Sequence, residues 1–587
     1  MSELALRPMR RRARLIPNGW AVFAFGVAFF AVLPIVVILT TAMEDTGSLW
    51  SHVVAGILPQ ATRTTLTLLL GTAILVTVIG TGCAWLVTAY RFRGRAFLEW
   101  GLLLPLAVPT YIMAYAYMDV LSPLGFIQGV IRDLLGYSSP REFRLPDIRA
   151  MWGAITLFGF VLYPYVYLTT RMMFLTQAAN LVEASRTLGT SRSAVFWRVA
   201  LPLARPAIAI GVSLALMETL NDIGASQFLG VRTLTASVYT TWIVRNDLAG
   251  ATQIASAMLI FVVVLIWLER FARRRQRYAT NAQRSRAMAA RPLTGVKGAL
   301  AFTIGFLPIF IGFVGPASYL LTAAIRRIEF AGISPHIVQA TINTVAVSAA
   351  ATVFVLVAGF VVAYASRIRS GPWSGSFLRL STLGYAVPGT VLAIGVLIPV
   401  AALDRFIDRS ASDWFGLSTG LLFMGSGCAL VYAYTARFLA ISSGGIEAGL
   451  SRIPTSYDHA ARTLGYTSTG SLLRVHLPLS RTALTAAGLL VFVDCMKELP
   501  ATLLLRPLNF ESLATLLYGE AARGTYEDAA LAALVIVAIG MLPVTLLARV
   551  GTSSSEPAAL RDRAQDDRSG GPVSEADSEA LVTRMVR

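Results

Sequence analysis

Twelve stretches of this chain are apolar enough, and long enough, to lie across a lipid bilayer. That constrains its fold more than any other feature, because only helices and closed barrels satisfy their backbone groups inside lipid. The runs fall at roughly 19–43, 63–90, 98–120, 151–175, 203–226 and 251–269. A second set falls near 299–324, 338–366, 377–402, 417–442, 480–502 and 527–549. The first covers about 25 residues, more than the ~20 that a spanning helix needs. It is too long for a signal-peptide core and no A-x-A site follows it closely, so an uncleaved first helix is expected. With 55% hydrophobic and 14% charged residues, the expectation is an all-α polytopic membrane protein of about 12 transmembrane helices.

The formal charge of +18 raises the question of nucleic acid, but its distribution argues against that. Arginines cluster between apolar runs, at Arg7, Arg10, Arg11, Arg12 and Arg14, then at Arg91, Arg93 and Arg95. Acidic residues gather in the alternate loops: Glu44, Asp45, Asp133, Glu142 and Asp147. By the positive-inside rule both termini are expected in the cytoplasm. Segment 121–150 is expected outside, with a short surface helix from Phe126 to Leu135. The expected layout is a first half over 1–269, a basic cytoplasmic linker over 270–298, a second half over 299–550, and a disordered tail over 551–587.

The halves are also related in detail. Glu183-Ala184-Ser185-Arg186-Thr187-Leu188-Gly189 is followed, after nine intervening residues, by Val199-Ala200-Leu201-Pro202. His459-Ala460-Ala461-Arg462-Thr463-Leu464-Gly465 is followed, at the same interval, by Val475-His476-Leu477-Pro478. The two copies align without a gap, so one constant offset carries Glu183 to His459 and Pro202 to Pro478. Ala107-Val108-Pro109 recurs as Ala386-Val387-Pro388, at nearly the same offset. Six helices per half keep both halves in one orientation, so the repeat is parallel. Asn180 and Glu183 have capping-box spacing, glycine can end a helix in the left-handed conformation, and Thr190 or Ser191 can cap the next turn. Each copy therefore reads as a helix–Gly–helix elbow, which Leu201-Pro202 is expected to stop because proline lacks the amide hydrogen.

The elbow pattern resembles the EAA loop, E-A-A-x3-G-x9-I-x-L-P, of ABC-importer membrane subunits. The first copy departs from it by Ser185 and Val199; in the second His459 takes the Glu place, behind Asp458. The resemblance implies a type I importer-like fold in which Glu183, Ala184, Gly189, His459, Ala460, Ala461 and Gly465 couple to a homodimeric ATPase on the cytoplasmic side. It implies a periplasmic substrate-binding protein as the outer partner, lipid around the chain, and a bacterial inner-membrane location. ATP and magnesium would be bound by the ATPase, and no cofactor by this chain.

No catalytic constellation competes with that reading. The two lysines, Lys297 and Lys497, are neither preceded by Gly nor followed by Ser or Thr, which excludes a G-x4-G-K-[ST] phosphate loop. An enzyme is not expected. Cys83, Cys428 and Cys495 lie in apolar runs without C-x2-C spacing, a poor basis for disulfide or zinc. The four histidines are scattered.

Polar residues follow each elbow. Glu218 and Asp222 in the fifth run pair, at the offset of the elbows, with Asp494 and Glu498 in the eleventh. Each pair is four apart and shares a helix face. Ionisable residues at membrane depth cost roughly 2.5–3.5 kcal/mol on insertion scales and usually mark an ion or substrate path. Two readings stand: the four carboxylates line a path and transiently contact a cation, or they form a scaffold in which Lys497 neutralises Asp494 and Glu498 and Asp222 caps a helix break.

The segments from Met496 to Ala521 and from Met217 to Trp242 are similar to the fused permeases of ferric-iron importers, a likeness extending over about residues 15–550. A hard trivalent cation prefers oxygen ligands, and Tyr111 and Tyr115 can add phenolic oxygens or simply pack as interfacial aromatics. Thiamine, polyamine and aminophosphonate importers share the architecture and stay open, as does a six-plus-six secondary transporter driven by an ion gradient. The latter has no need of two matched docking loops.

Overall fold

The computed structural model describes residues 19–43, 53–176, 185, 189–273, 290–368 and 372–553. Outside them lie the basic N-terminal cluster, Glu183 and Ala184 of the first elbow, most of the linker and the tail. Among the described residues ten helices are long and apolar enough to cross a membrane, and an eleventh span consists of two segments bent by 91°. Helix Cys428–Ser451, 24 residues long, completes six per half. It contains Arg437, Glu447 and several Ser and Gly residues, which make it less apolar than the rest.

The parallel repeat is visible in matched contacts. Thr65, in helix Leu58–Ala89, accepts a hydrogen bond from the Leu234 amide at 2.9 Å. Its counterpart Thr344, in helix Pro335–Ile368, accepts one from the Leu513 amide at 2.8 Å. Both side chains are buried. An orphan N–H at a helix start is thereby satisfied identically in each half.

The halves embrace by exchanging their first helices. Helix Gly19–Thr41 packs on helices Pro335–Ile368 and Gly389–Phe415 of the second half. The Tyr432 hydroxyl donates to the Phe30 carbonyl at 2.7 Å, and a Cβ on Gly395 would collide with the Pro34 carbonyl oxygen. In return, the first helical stretch of the second half, Gly295–Ala331, packs on the first. Tyr117 donates to the Ile311 carbonyl at 2.5 Å, and a Cβ on Gly312 would collide with the Phe160 carbonyl oxygen. Small residues permit this approach where lipid supplies no hydrophobic drive between helices. A two-residue parallel bridge ties Tyr90–Arg91 to Arg291–Pro292.

The helix Phe126–Leu135 forms as expected. Its polar side turns inward: Gln128 donates to the Leu121 carbonyl at 2.7 Å and Arg132 to the Pro123 carbonyl at 2.8 Å. Phe126, Leu134 and Leu135 stay exposed. That is the polarity of a helix resting on lipid.

Three expectations are corrected. The third run is not one straight span: it breaks between Arg95–Ala107 and Thr110–Val120. The ninth begins at Gly389 after a shorter helix, Leu383–Ala386. And Leu201-Pro202 stops nothing. A π-turn, Phe196–Ala200, runs directly into helix Leu201–Asn221 with Pro202 in its first turn. The second half repeats this with Leu472–His476 and helix Leu477–Met496. The wider π-turn precedes the position where proline lacks a donor, so the chain continues through it.

Candidate functional site

Four broken helices meet at the centre of the molecule. In both halves the Ala-Val-Pro triplet makes the break. The valine before proline is driven out of the helical region, to φ −105° and ψ 116° at Val108 and φ −82° and ψ 127° at Val387. Each proline is extended, and a new helix starts at Thr110 and at Gly389. The second pair of breaks follows the elbows. Helix Leu201–Asn221 gives way at Asp222 to the short Gly224–Phe228. Helix Leu477–Met496 gives way at Lys497 to Pro500–Leu505.

The breaks enclose a polar cavity of about 110 Å³ lined by residues of both halves. Glu218, Asp222, Asp494 and Glu498 all face it, so the structure brings together the four carboxylates singled out in the sequence. Their partners differ. Asp222 accepts from the Thr110 hydroxyl and, at 3.0 Å, from the Ser226 amide, capping the short helix as one reading anticipated. Glu498 accepts from the Ala501 amide at 3.2 Å. Glu218 accepts from the Tyr385 hydroxyl at 3.3 Å.

Of the two carboxylates that the scaffold reading gave to Lys497, the lysine pairs with Asp494 and not with Glu498. The Lys497 ammonium lies 2.8 Å from Asp494, while the ion partner of Glu498 is Arg437, at 3.4 Å and almost fully buried. Lys497 and Asp494 are three apart on one helix end and face each other. Glu498 belongs to the next turn of chain, which points it toward helix Cys428–Ser451. Arg437 also donates to Asn221 of the first half at 2.8 Å, and the same Asn221 oxygen accepts from the Gly389 amide at 2.7 Å. Tyr111 lines the cavity and donates to the Lys497 carbonyl at 3.4 Å. Tyr115 does not line it; it is buried and stacks on Tyr526 at 6.2 Å.

Arg437, Asn221 and Tyr385 were not singled out in the sequence. A lone arginine in an apolar helix was the available signal for the first, since buried membrane charge is rare and functional. Among the described residues no group of three or more His, Cys, Asp or Glu side chains converges to hold a metal ion. The carboxylates are interleaved with Arg437 and Lys497 around the cavity.

At the far end of the elbow helices, the second elbow is fully described. Helix Thr455–Thr463 ends at Leu464, Gly465 has φ +80°, and Thr467 caps the next turn by accepting from the Gly470 amide at 3.2 Å. Gly189 also has φ +80°. The helix-ending bond is the same in both copies: Thr190 N–H to Ser185 O at 3.2 Å, and Tyr466 N–H to Ala461 O at 3.0 Å. His459 and Ala460 are exposed and Ala461 is buried. Asp458 turns inward to Arg367 at 2.7 Å and to His476 at 2.8 Å. Tyr457 and Leu464 stay exposed, an apolar tip on a polar loop.

These features have counterparts in known proteins. Residues 4–278 match the family described as binding-protein-dependent transport system inner membrane component. The Fe(3+)-transport system permease protein FbpB 2 of Haemophilus influenzae is 25% identical over 476 residues, 80% of this chain and 85% of that protein. The molybdenum transport system permease protein ModB of Escherichia coli is 30% identical over 202 residues, 33% of this chain and 85% of its own length. The sulfate transport system permease protein CysT of Synechococcus elongatus is 29% identical over 242 residues, 40% of this chain and 84% of its own. A relative that is nearly all matched by a third of this chain, beside one that matches across both halves, is what two joined copies of a single permease should give. The chain belongs to the binding-protein-dependent inner-membrane transport components, as an ABC-importer permease with both halves in one polypeptide.

Proposed function

We propose that this permease imports a hard cation, ferric iron, through the cavity between its halves. A separate homodimeric ATPase, which binds ATP and magnesium, drives it through the two elbows, and a periplasmic binding protein delivers the cargo. The observation that carries the cation reading is the charge balance of the cavity. Four carboxylates face it against two cations, and both cations already have acidic partners, Arg437 with Glu498 and Lys497 with Asp494. Glu218 and Asp222 are left with hydroxyl and amide partners only, so the lining is net acidic and oxygen-rich, which suits a hard cation. The iron-transport relative supports the same cargo.

In this reading ATP binding draws the two elbows together, and the helices rooted in them switch the cavity from inward- to outward-facing. Coupling is then a difference in the stability of two states. With the elbows in the cytoplasm, both termini lie on that side.

A second reading has its own observation: Arg437 and two half-helix N-termini face the cavity, which suits an oxyanion such as sulfate. One of the two is already engaged, the Gly389 amide by Asn221. The test is uptake into proteoliposomes holding the permease and its ATPase, with the binding protein added. Radiolabelled ferric citrate, sulfate, molybdate, thiamine, polyamine and aminophosphonate are offered in turn. ATP-dependent uptake of iron alone is expected; uptake of sulfate or molybdate with none of iron overturns the cation reading.

A further inference from the structure

Arg437, a buried cation of the cavity, has no charged counterpart in the repeat. At the offset that relates the elbows, Arg437 and Phe438 occupy the places that Val161 and Leu162 take in the first half, and all four line the cavity. A buried arginine in a membrane helix is costly and has a reason to be there. Resting on the cation reading above, we propose that Arg437 is a tethered counter-cation: in the empty cavity its guanidinium stands in for the positive charge of the cargo, and it yields Glu498 when cargo enters.

Its bonding fits a displaceable group better than a fixed strut. Of five N–H donors, one makes a good hydrogen bond, to Asn221 at 2.8 Å, and the approach to Glu498 is a loose 3.4 Å. The Nε–H is buried with no hydrogen-bond partner. The guanidinium lies 5.5 Å from the Phe438 ring centre, a soft contact that tolerates movement.

The residues around it are arranged for the same purpose. Gly389 has no side chain where a Cβ would collide with the Arg437 Nη1 and stand 2.6 Å from the Glu498 Oε1, so the pair meets in space that only glycine leaves. Asn221 and Glu498 belong to different halves. Arg437 thus joins the halves across the cavity, and releasing Glu498 to a cation loosens that join. Cargo binding and the parting of the halves become one event, and small ions that cannot displace a guanidinium do not pass.

The test is Arg437→Gln in the same proteoliposomes. With the competing positive charge gone, the half-saturating iron concentration should fall by about tenfold or more. A passive potassium leak, absent in the wild type, should appear without ATP. Arg437→Lys keeps the charge and should restore the seal. If Arg437→Gln does not fold, the neutral pair Arg437→Gln with Glu498→Gln removes both charges and should assemble. Its half-saturating concentration should rise above wild type. An unchanged half-saturating concentration in the folded variant, with no leak, overturns the proposal while leaving the cation reading in place. If the wild type instead carries sulfate and Arg437→Gln abolishes that uptake, the cation reading fails and Arg437 is an anion ligand.

Discussion

Replacing Gly189 and Gly465 together by valine tests whether the elbows couple the chain to an ATPase, and the structure sets the size of the effect. Both glycines have φ +80°, and an added Cβ at either would meet nothing within 4 Å. Crowding is therefore no part of the cost, which lies in the backbone. Holding an L-residue in the left-handed region costs about 1–2 kcal/mol, more when it is β-branched. If the chain relaxes to negative φ instead, it loses the helix-ending bond, Tyr466 N–H to Ala461 O or Thr190 N–H to Ser185 O, worth about 1 kcal/mol. Either way each elbow leaves its native shape by about 1–3 kcal/mol, roughly a tenfold to hundredfold shift in population. Membrane insertion and purification yield should be unaffected, since the elbows pack against no core at these positions. ATP-driven uptake, and ATPase that co-purifies with the permease, should both collapse. Gly444→Ala is the control: its Cβ also meets nothing within 4 Å, but it lies inside helix Cys428–Ser451 at negative φ, so activity should be kept. Retention of ATP-driven uptake by the Gly189→Val, Gly465→Val double variant would refute the coupling role.

Glu218→Gln keeps shape but removes a charge whose hydrogen-bond partner is the Tyr385 hydroxyl. Cation uptake should fall at least tenfold while assembly with the ATPase survives; normal uptake removes Glu218 from the path. Glu498→Gln leaves Arg437 as a buried charge without its acidic partner, and a broken buried pair costs about 3–5 kcal/mol. Yield in detergent and transport should drop together, and an unchanged melting temperature counts against the pairing. At the second elbow, Asp458→Asn should destabilise by about 1.5–3 kcal/mol through its bonds to Arg367 and His476. His459→Ala, at an exposed position, should leave thermal stability unchanged, and a larger loss for His459→Ala contradicts the geometry.

What could be read from the residues, and what could not, divides along a physical line. The apolar runs, the parallel repeat and the elbows are legible because each depends on local pattern: run length, an exact offset, a glycine at positive φ. The meeting of Glu218, Asp222, Asp494 and Glu498 was legible through the same offset. The 91° bend was less so. Pro109 and Pro388 mark the repeat openly, yet a proline in a membrane helix also occurs without a break, as Pro164 within helix Met151–Thr176 shows. What separates them is the extended valine before Pro109 and Pro388, together with Asn221, a distant side chain that takes up the Gly389 amide. Arg437 was hidden for the opposite reason. It has no repeat partner and no local motif, and its meaning lies in Asn221, Gly389 and Glu498, which three other stretches of chain bring to it. The split between Lys497–Asp494 and Arg437–Glu498 follows from the helix ending at Met496, a boundary that apolar run length does not resolve.

The exchange of first helices has a consequence for how the protein is made. Pro34 packs against Gly395, which leaves the ribosome only after most of the intervening chain has been built. At a synthesis rate of about 5–20 residues per second, the first helix waits roughly 20–70 s in the bilayer before its docking surface exists. During that wait its packed neighbour among the helices already made is Leu248–Arg273 of its own half, itself a late arrival. Its contact face is Ala24, Ala28 and Ala31, and its outer face carries Phe25, Phe29 and Phe30; neither bears a charge or a polar group that lipid would penalise. A polar interface here, however well paired in the finished protein, would face hydrocarbon for most of a minute. The plainness of this helix is thus a requirement of the order of synthesis, and a charge such as Ala28→Asp should be lost at the insertion stage, before folding is reached.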